Sequence, residues 1–406
     1  MFTVKSPNQV RELIEEHFSV AQIHGETVDL MKSLGRICAQ DICATEDVPG
    51  FDRSMVDGYA VRAKDTFGAS ENLPAMLKKT GEIFMGQNPP GEIGDGECMA
   101  IPTGGEFPPG SDCAVMVEYT EDLGDGYIYV QKPSAPGTHM IYRGDDVKKG
   151  DVVIHAGSVI RPQDIGALAA LGITKLDVVK PIRVGVISTG DELVSVDQPV
   201  QGAQIRDVNT WLMGAGVLAQ GAHWTSYGIV KDDYETLKAT VKRAAEECDM
   251  VLISGGSSVG AKDATHRVVD ELGSGVFVHG IAIKPGKPTI IGSIHQKPVF
   301  GLPGHPVSAY FIFRLFVCPL IDLLMGKKRE IAGYVQAELR FSLPSNHGRE
   351  EYVPVSLEGQ EGQYYAQAVQ SKSGLIASLS RADGYVKIER GQEGLMKGQM
   401  VTVSLF

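Results

Sequence analysis

Five short segments carry residue types able to hold an anionic ligand or a cation. STGDEL, residues 188–193, sets Ser188 and Gly190, small enough to let a ligand approach backbone N–H groups, beside Asp191 and Glu192, which can hold a cation. A turn with a solvated acid pair has the same composition. SGGSSVGAKD, residues 254–263, places Ser254, Gly255, Gly256, Ser258 and Gly260 ahead of a helical pattern. Unpaired N–H groups and the helix dipole at such a junction favour a phosphate, and a purely structural glycine turn is the alternative. It is not a Walker A loop, because Lys262 is followed by Asp263 rather than Ser or Thr, and it does not match GxGxxG. In GLPGHPVS, residues 301–308, Pro303 and Pro306 stiffen a loop that could position His305 or simply start a helix. In AIKPGKPTI, residues 282–290, Lys284 and Lys287 project from a rigid turn or from a solvated hairpin tip. In FDRSMVDGYAVR, residues 51–62, Asp57 precedes Gly58 where an interdomain cleft or an ordinary turn would fit.

The combination is more informative than any one loop. Carboxylates beside a phosphate repel it unless a cation lies between them, so acids near anion-binding loops and lysines imply bound Mg²⁺, which takes a few carboxylates plus phosphate oxygens and water. No Ser/His/Asp or Cys/His set with recognisable local spacing stands out, which makes covalent acyl transfer less attractive.

The elements that must position these loops follow from hydrophobic periodicity. Beyond Lys180 the chain alternates strand-like and helix-like runs: RVGVIS, NTWLMGAGVLAQG, HWTSYGIV, DDYETLKATVKRAAEEC, DMVLIS, KDATHRVVDELG, PVFGL, PVSAYFIFRLF. That pattern predicts a doubly wound, mostly parallel sheet, in which ligands bind at the carboxyl ends of the strands. STGDEL, SGGSSVGAKD and GLPGHPVS follow such strands. Upstream, residues from Val4 to Gln40 have helical apolar spacing, 58–143 reads as short strands rich in Gly and Pro, and a strand-then-helix segment opens a helix near Pro162. After Gly326 short strands return. The expected division is a split N-terminal α+β domain (1–50 and 147–179), a β-rich inserted domain (51–146), an α/β domain (180–326) and a small C-terminal β-barrel-like domain (327–406).

At 406 residues with a formal charge of −12, the chain lacks the broad basic face that nucleic acid or a membrane surface demands. The six cysteines show no paired ligand spacing, and reduced thiols point to a cytoplasmic location. Residues 306–325 are long and apolar enough to span a bilayer, yet Arg314, Pro319 and Asp322 interrupt them; the expectation is a buried, Pro-initiated core helix.

Taken in order, DVPGFDRSMVDGYAVR, IPTGGEFPPGSDCAVMVEYTE, RGDDVKKGD, ISTGDEL, QIRDVN, SGGSSVGAKD, IKPGKP and GLPGHPVSA resemble the MoeA/gephyrin family of molybdopterin molybdenumtransferases. The resemblance spans about residues 47 to 309 at motif level. It implies an elongated homodimer whose active site lies between the α/β domain of one subunit and the insert of the other. It also implies the reaction: insertion of molybdate into adenylylated molybdopterin with Mg²⁺, releasing AMP and molybdenum cofactor. On that resemblance Asp57 and Thr103 come from the insert and Asp146 from its return. Asp191, Glu192, Asp232, Asp263, Lys284 and Lys287 line the opposite wall, with Ser254 to Gly260 as the cradle. Ser188, Gly190, Pro303 and Pro306 complete the substrate set; Asp57, Asp146, Asp232 and Asp263 are the catalytic candidates, and Glu192, Asp232 and Asp263 the metal candidates. A complex with the molybdopterin adenylyltransferase is a further partner the resemblance allows.

Three positions depart from the family pattern. His305 stands where the family usually has Asn, Asp232 and Asp233 compete for one acidic role with Asp232 preferred, and the basic residue expected before IKPGKP is shifted, with His279 near its place. Ser373 in SKSG is left outside the candidate set. The competing functions are a molybdopterin-binding scaffold and the same enzyme class acting on tungstate.

Overall fold

Apolar alternation in the second half of the chain is resolved into one six-stranded sheet with helices on both faces. A computed structural model describes residues 4–18, 24–255, 259–328, 333–360, 362–369 and 373–406, leaving aside the side chains at 259–263 and 360.

The N-terminal part begins with α1 (Pro7–His17), capped by a reciprocal Ser6–Gln9 capping box with Pro7 in the first turn. The helical spacing then ends. β1 (Gly25–Asp29) pairs antiparallel with a returning strand, Lys175–Val179, over its whole length, so the expectation of helix from Val4 to Gln40 holds only for the first third. Thr27 and Val28 favour the extended chain, and that partner lies far away in sequence.

The insert is a six-stranded sheet. Its members are β2 (Gly58–Val61), β3 (Ala75–Glu82), β4 (Glu97–Ile101), β5 (Cys113–Met116), β6 (Thr120–Asp122) and β7 (Tyr127–Val130), in spatial order β5-β2-β4-β3-β7-β6. The chain then returns through α2 (Pro162–Ala170), opened by Pro162 as anticipated, and β8 (Lys175–Val179), the partner of β1.

The central sheet contains β9 (Arg183–Thr189), α3 (Asn209–Ala219), β10 (His223–Val230), α4 (Tyr234–Glu247), β11 (Met250–Gly255), α5 (Val259–Leu272), β12 (Gly275–His279), β13 (Ile290–Ile294), β14 (Lys297–Leu302) and α6 (Pro306–Ile312). Strand order is β10-β9-β11-β14-β13-β12, with the first four parallel and the last two antiparallel. Alternate side chains face opposite layers. Val184, Val186, Met250, Leu252 and Phe300 join one core with α3 and the 306–324 helix, whereas Ile187, Val251, Ile253 and Val299 join another with α4 and α5.

The apolar run after His305 is buried: α6, a π-helical turn at Phe313–Val317 and α7 (Cys318–Leu324) form a segment whose most apolar window is 67% covered by protein. Pro319 has no N–H to return to the carbonyl four residues back, and the wider turn just before it accommodates that loss.

The C-terminal strands β15 (Tyr334–Leu339), β16 (Glu350–Gln360), β17 (Gln363–Ala368), β18 (Gly384–Ile388) and β19 (Met400–Leu405) close into a five-stranded barrel, since β16 pairs with both β17 and β18. Ile283–Lys284 joins its edge, parallel to Glu350 and Glu351. This strip of chain fastens the barrel to the central sheet beside the loaded loops.

Candidate active site

The four parallel strands deliver their carboxyl ends side by side. Thr189 stands opposite Val230 and Gly255, and Ser254 opposite Leu302. The carboxyl ends of β10, β9, β11 and β14 therefore line one edge in that order. With strands about 4.8 Å apart, this edge is about 14 Å long. It is acidic at the β10 and β9 end and cationic at the β14 end.

At the acidic end, Asp191 and Glu192 lie near Asp232. The Asp232 backbone N–H donates to Asp191 Oδ1 at 3.3 Å. The Asp232 carboxyl is held above the ordinary carboxylate range, first by lost hydration and then by repulsion from Asp191 and Glu192. Asp233 is otherwise engaged: its carboxylate caps α4 by accepting the Thr236 N–H at 2.8 Å. Asp232 is thus the member of the KDD pair that faces the acids. Among the described residues no preassembled group of three or more His, Cys, Asp or Glu ligands occurs. Gly256 and Ser258 lie outside the described residues, as do the side-chain environments of Gly260 and Asp263.

Two glycines shape this end. Gly255 has φ +144°, and a Cβ there would sit 2.1 Å from the Thr189 carbonyl oxygen; Gly190, at φ +148°, would bring one within 2.6 Å of a Glu192 carboxylate oxygen.

The Ser188 side chain faces inward, away from the loop surface. It is 1% exposed, and its hydroxyl donates to Asp207 Oδ1 and shares a contact with Thr210 Oγ1, both at 2.9 Å. Its side chain supports the loop from within. Ser254 is equally buried and accepts the Asn209 amide at 2.7 Å; the same amide donates to the Gly304 carbonyl at 2.8 Å. Asn209 thereby ties the end of β11 to the β14 loop, and its own Oδ1 is buried without a partner among the described residues. It lies in QIRDVN, but only the fold reveals its burial between the end of β11 and the β14 loop. Asn209→Ala is expected to cost about 1–3 kcal/mol by orphaning its neighbours, seen as a lower denaturant midpoint at unchanged slope; an unaltered midpoint would remove this tie from the account.

At the cationic end a cavity of about 730 Å³ opens between the central sheet and the barrel, lined by Lys284, Lys287, Pro303, Arg349 and Glu351 among others. Lys284 is not a free ammonium: it pairs with Glu351 at 2.6 Å, and Ser345 donates to the same carboxylate at 2.7 Å. Lys287 is exposed, while Pro303 is buried and Pro306 half-buried, so both prolines shape the loop. Arg349, Glu351 and Ser373 from the C-terminal part were not among the sequence candidates, because nothing local in that part signals a partner in IKPGKP.

The insert's candidates cluster separately. Asp57 Oδ1 accepts the Thr103 N–H at 2.8 Å, and both side chains are exposed. Asp146, also exposed, donates its N–H to the Val48 carbonyl where the insert returns. Beside the Asp57–Thr103 pair, Met55, Phe84 and Met85 are exposed, with Met85 against Gly104. Burial pushes the Cys98, Cys113 and Cys318 thiols up to about 12, which removes them as nucleophiles.

Family models match almost the whole chain. The MoeA N-terminal region (domain I and II) matches residues 5–172, a "probable molybdopterin binding domain" matches 185–323, and the MoeA C-terminal region (domain IV) matches 336–406. The molybdopterin molybdenumtransferase of Bacillus subtilis (strain 168) is 32% identical over 413 residues, covering 100% of this chain and 95% of that protein. The Haemophilus influenzae protein of the same name is 33% identical over 384 residues, covering 94% of each. The crystal structure of the molybdopterin biosynthesis moeA protein from Pyrococcus horikoshii OT3 superposes with a TM-score of 0.88 at 33% identity, covering 100% of both chains.

Proposed function

Because the chain belongs to the MoeA family, we propose that it is a molybdopterin molybdenumtransferase, taking adenylylated molybdopterin and molybdate to molybdenum cofactor and AMP. The observation that carries this reading is the sheet edge graded from acids to cations, with the Gly255 end of β11 between them. A ligand with a diphosphate in its middle fits an edge about 14 Å long, its phosphates against the loop after β11 and molybdate at the cationic end.

The acid end fits Mg²⁺ by donor chemistry: Asp191, Glu192 and Asp232 are oxygen ligands whose mutual repulsion is already expressed at Asp232. Glu192 and Asp232, with Asp263, would hold the ion. When bound it supplies charge neutralisation at the adenylyl diphosphate. The chain's own groups do the rest. Lys287 and Arg349 attract anionic oxygens, Lys284 is kept in place by Glu351, and the buried Ser188–Asp207–Thr210 set fixes the loop that carries the acids.

The exposed Asp57–Thr103 pair with its apolar surround favours a homodimer in which the partner's insert covers the sheet edge, with the chain divided into four units as read from the sequence. Asp57 and Asp146 then act across the subunit boundary. A cytoplasmic location and a complex with the adenylyltransferase belong to the same reading, and tungstate is the alternative oxyanion.

The test is AMP release and molybdenum cofactor formation from adenylylated molybdopterin with Mg²⁺ and molybdate. Activity in the unmodified protein, abolished in well-folded Asp263→Asn, supports the transferase. A well-folded protein that binds molybdopterin but releases no AMP with either oxyanion would move the assignment to a scaffold. Chelation of Mg²⁺ is expected to remove turnover, with restoration on adding it back; turnover indifferent to chelation would exclude the ion.

A further inference from the structure

The cavity between the central sheet and the C-terminal part is crossed by one side-chain pair. His305, in the loop after β14, has Nδ1 2.7 Å from Ser373 Oγ, and both residues line the cavity. Ser373 is held a second time, its carbonyl accepting the Val307 N–H at 3.1 Å. Among the described residues His305 Nε2 makes no hydrogen bond. The titratable groups that line the cavity with the pair are Lys284, Lys287, Arg349, Tyr352 and Glu351, the last engaged by Lys284.

We propose that His305 and Ser373 form a proton-coupled donor pair that positions the oxyanion in this cavity, so that oxyanion binding takes up one proton on His305; this rests on the transferase reading above. The number of hydrogens on the pair sets how many donors it can offer. With neutral imidazole, either Ser373 donates to Nδ1 and Nε2 carries the N–H, or Nδ1–H donates to Oγ and the hydroxyl hydrogen is unspent. Each tautomer leaves one donor for the cavity. Protonation of the ring from solvent changes this: Nδ1–H donates to Oγ, and both Nε2–H and the Ser373 hydroxyl become available, with one added positive charge. No covalent bond other than the new N–H forms. Molybdate has only acceptor oxygens, so it is better matched by the protonated pair, and the hydrogen bonds it receives are charge-assisted. Ring protonation adds one donor and one charge to the cavity, so a pH response of binding that is lost with the imidazole identifies His305. An amide at this position would supply a fixed donor and no response.

The experiment is calorimetric titration of the full chain with molybdate, and separately with tungstate, at about pH 6.5 and about pH 8.5 in two buffers of different ionisation enthalpy. Unmodified protein is expected to bind about tenfold tighter at the lower pH with net proton uptake. His305→Asn is expected to lose the pH response and the uptake while keeping its melting temperature, and Ser373→Ala to weaken binding at both pH values. Combining the two substitutions should weaken binding by less than the product of the single effects. An equal pH response in His305→Asn and the unmodified protein, or strictly multiplicative effects, would overturn the proposal. AMP release with pH-independent oxyanion binding overturns this proposal alone; absence of both oxyanion binding and AMP release overturns the transferase reading as well.

Discussion

Replacing Asp232 by Asn is expected to lower molybdenum cofactor formation by about a hundredfold or more while leaving the protein slightly more stable at neutral pH. The two signs come from one cause. Lost hydration and the charges of Asp191 and Glu192 raise the Asp232 pKa above the unfolded value of 3.8. Between those two pKa values the folded chain holds more protons than the unfolded one, so stability falls as pH rises through that window, and the penalty is complete above it. Asn removes the penalty at neutral pH and makes no difference in acid, where the carboxyl is protonated in both states. Because Asp232 is exposed, solvent screens the repulsion and the gain is small. Activity has no such protection, since the same repulsion is what suits the acids to a cation. Asp233→Ala supplies the reversed case: it deletes the α4 cap, so stability should fall while turnover is largely kept. Denaturation midpoints at neutral and acid pH, with turnover at saturating Mg²⁺, separate the two. A fully active Asp232→Asn, or one destabilised at neutral pH, would take Asp232 out of the acidic site.

The alternation that made the central sheet legible is local. β9, β10, β11 and α4 each carry their own periodic pattern, so the parallel sheet and its loaded carboxyl edge could be read without any partner in view. β12 and β13 escaped because Gly275–His279 and Ile290–Ile294 are short apolar runs whose pairing, antiparallel to each other and to β14, is fixed only by the sheet they complete. β1 escaped for the same reason, its partner β8 being far along the chain. At the site, chemistry confined to one loop was visible: the acid pair in STGDEL, the glycines after β11, the lysines of IKPGKP. What was not visible depends on contact. Glu351 captures Lys284, Asp207 takes the Ser188 hydroxyl away from any ligand, Asn209 joins two loops, and Ser373, set aside from the sequence, meets His305. The choice between Asp232 and Asp233 was open to composition; in the fold the Asp233 carboxylate caps α4, which leaves Asp232 as the one beside Asp191.

Gly255→Ala is expected to cost about 3 kcal/mol or more of stability and nearly all activity. The backbone at Gly255 has φ +144°, a region essentially reserved for glycine, so any side chain is strained even in open space. Here the space is closed as well. A Cβ would stand 2.1 Å from the Thr189 carbonyl oxygen and 2.6 Å from its hydroxyl, and Thr189 is the residue paired with Gly255 in the neighbouring parallel strand. The obstacle is mainly backbone, so relief requires β9 and β11 to part at the edge from which STGDEL and SGGSSVGAKD emerge. Gly190→Ala provides the comparison. Its backbone is strained in the same way, but its Cβ would meet the Glu192 carboxylate, the end of a flexible side chain that can swing aside. That variant should lose less stability than Gly255→Ala and still lose much of its turnover, because the displaced group is a candidate Mg²⁺ ligand. Urea midpoints for the two variants at unchanged slope, set against cofactor formation, give the ordering. Equal stability losses would mean that the strained φ, and not the approach of β9 to β11, is what reserves position 255 for glycine.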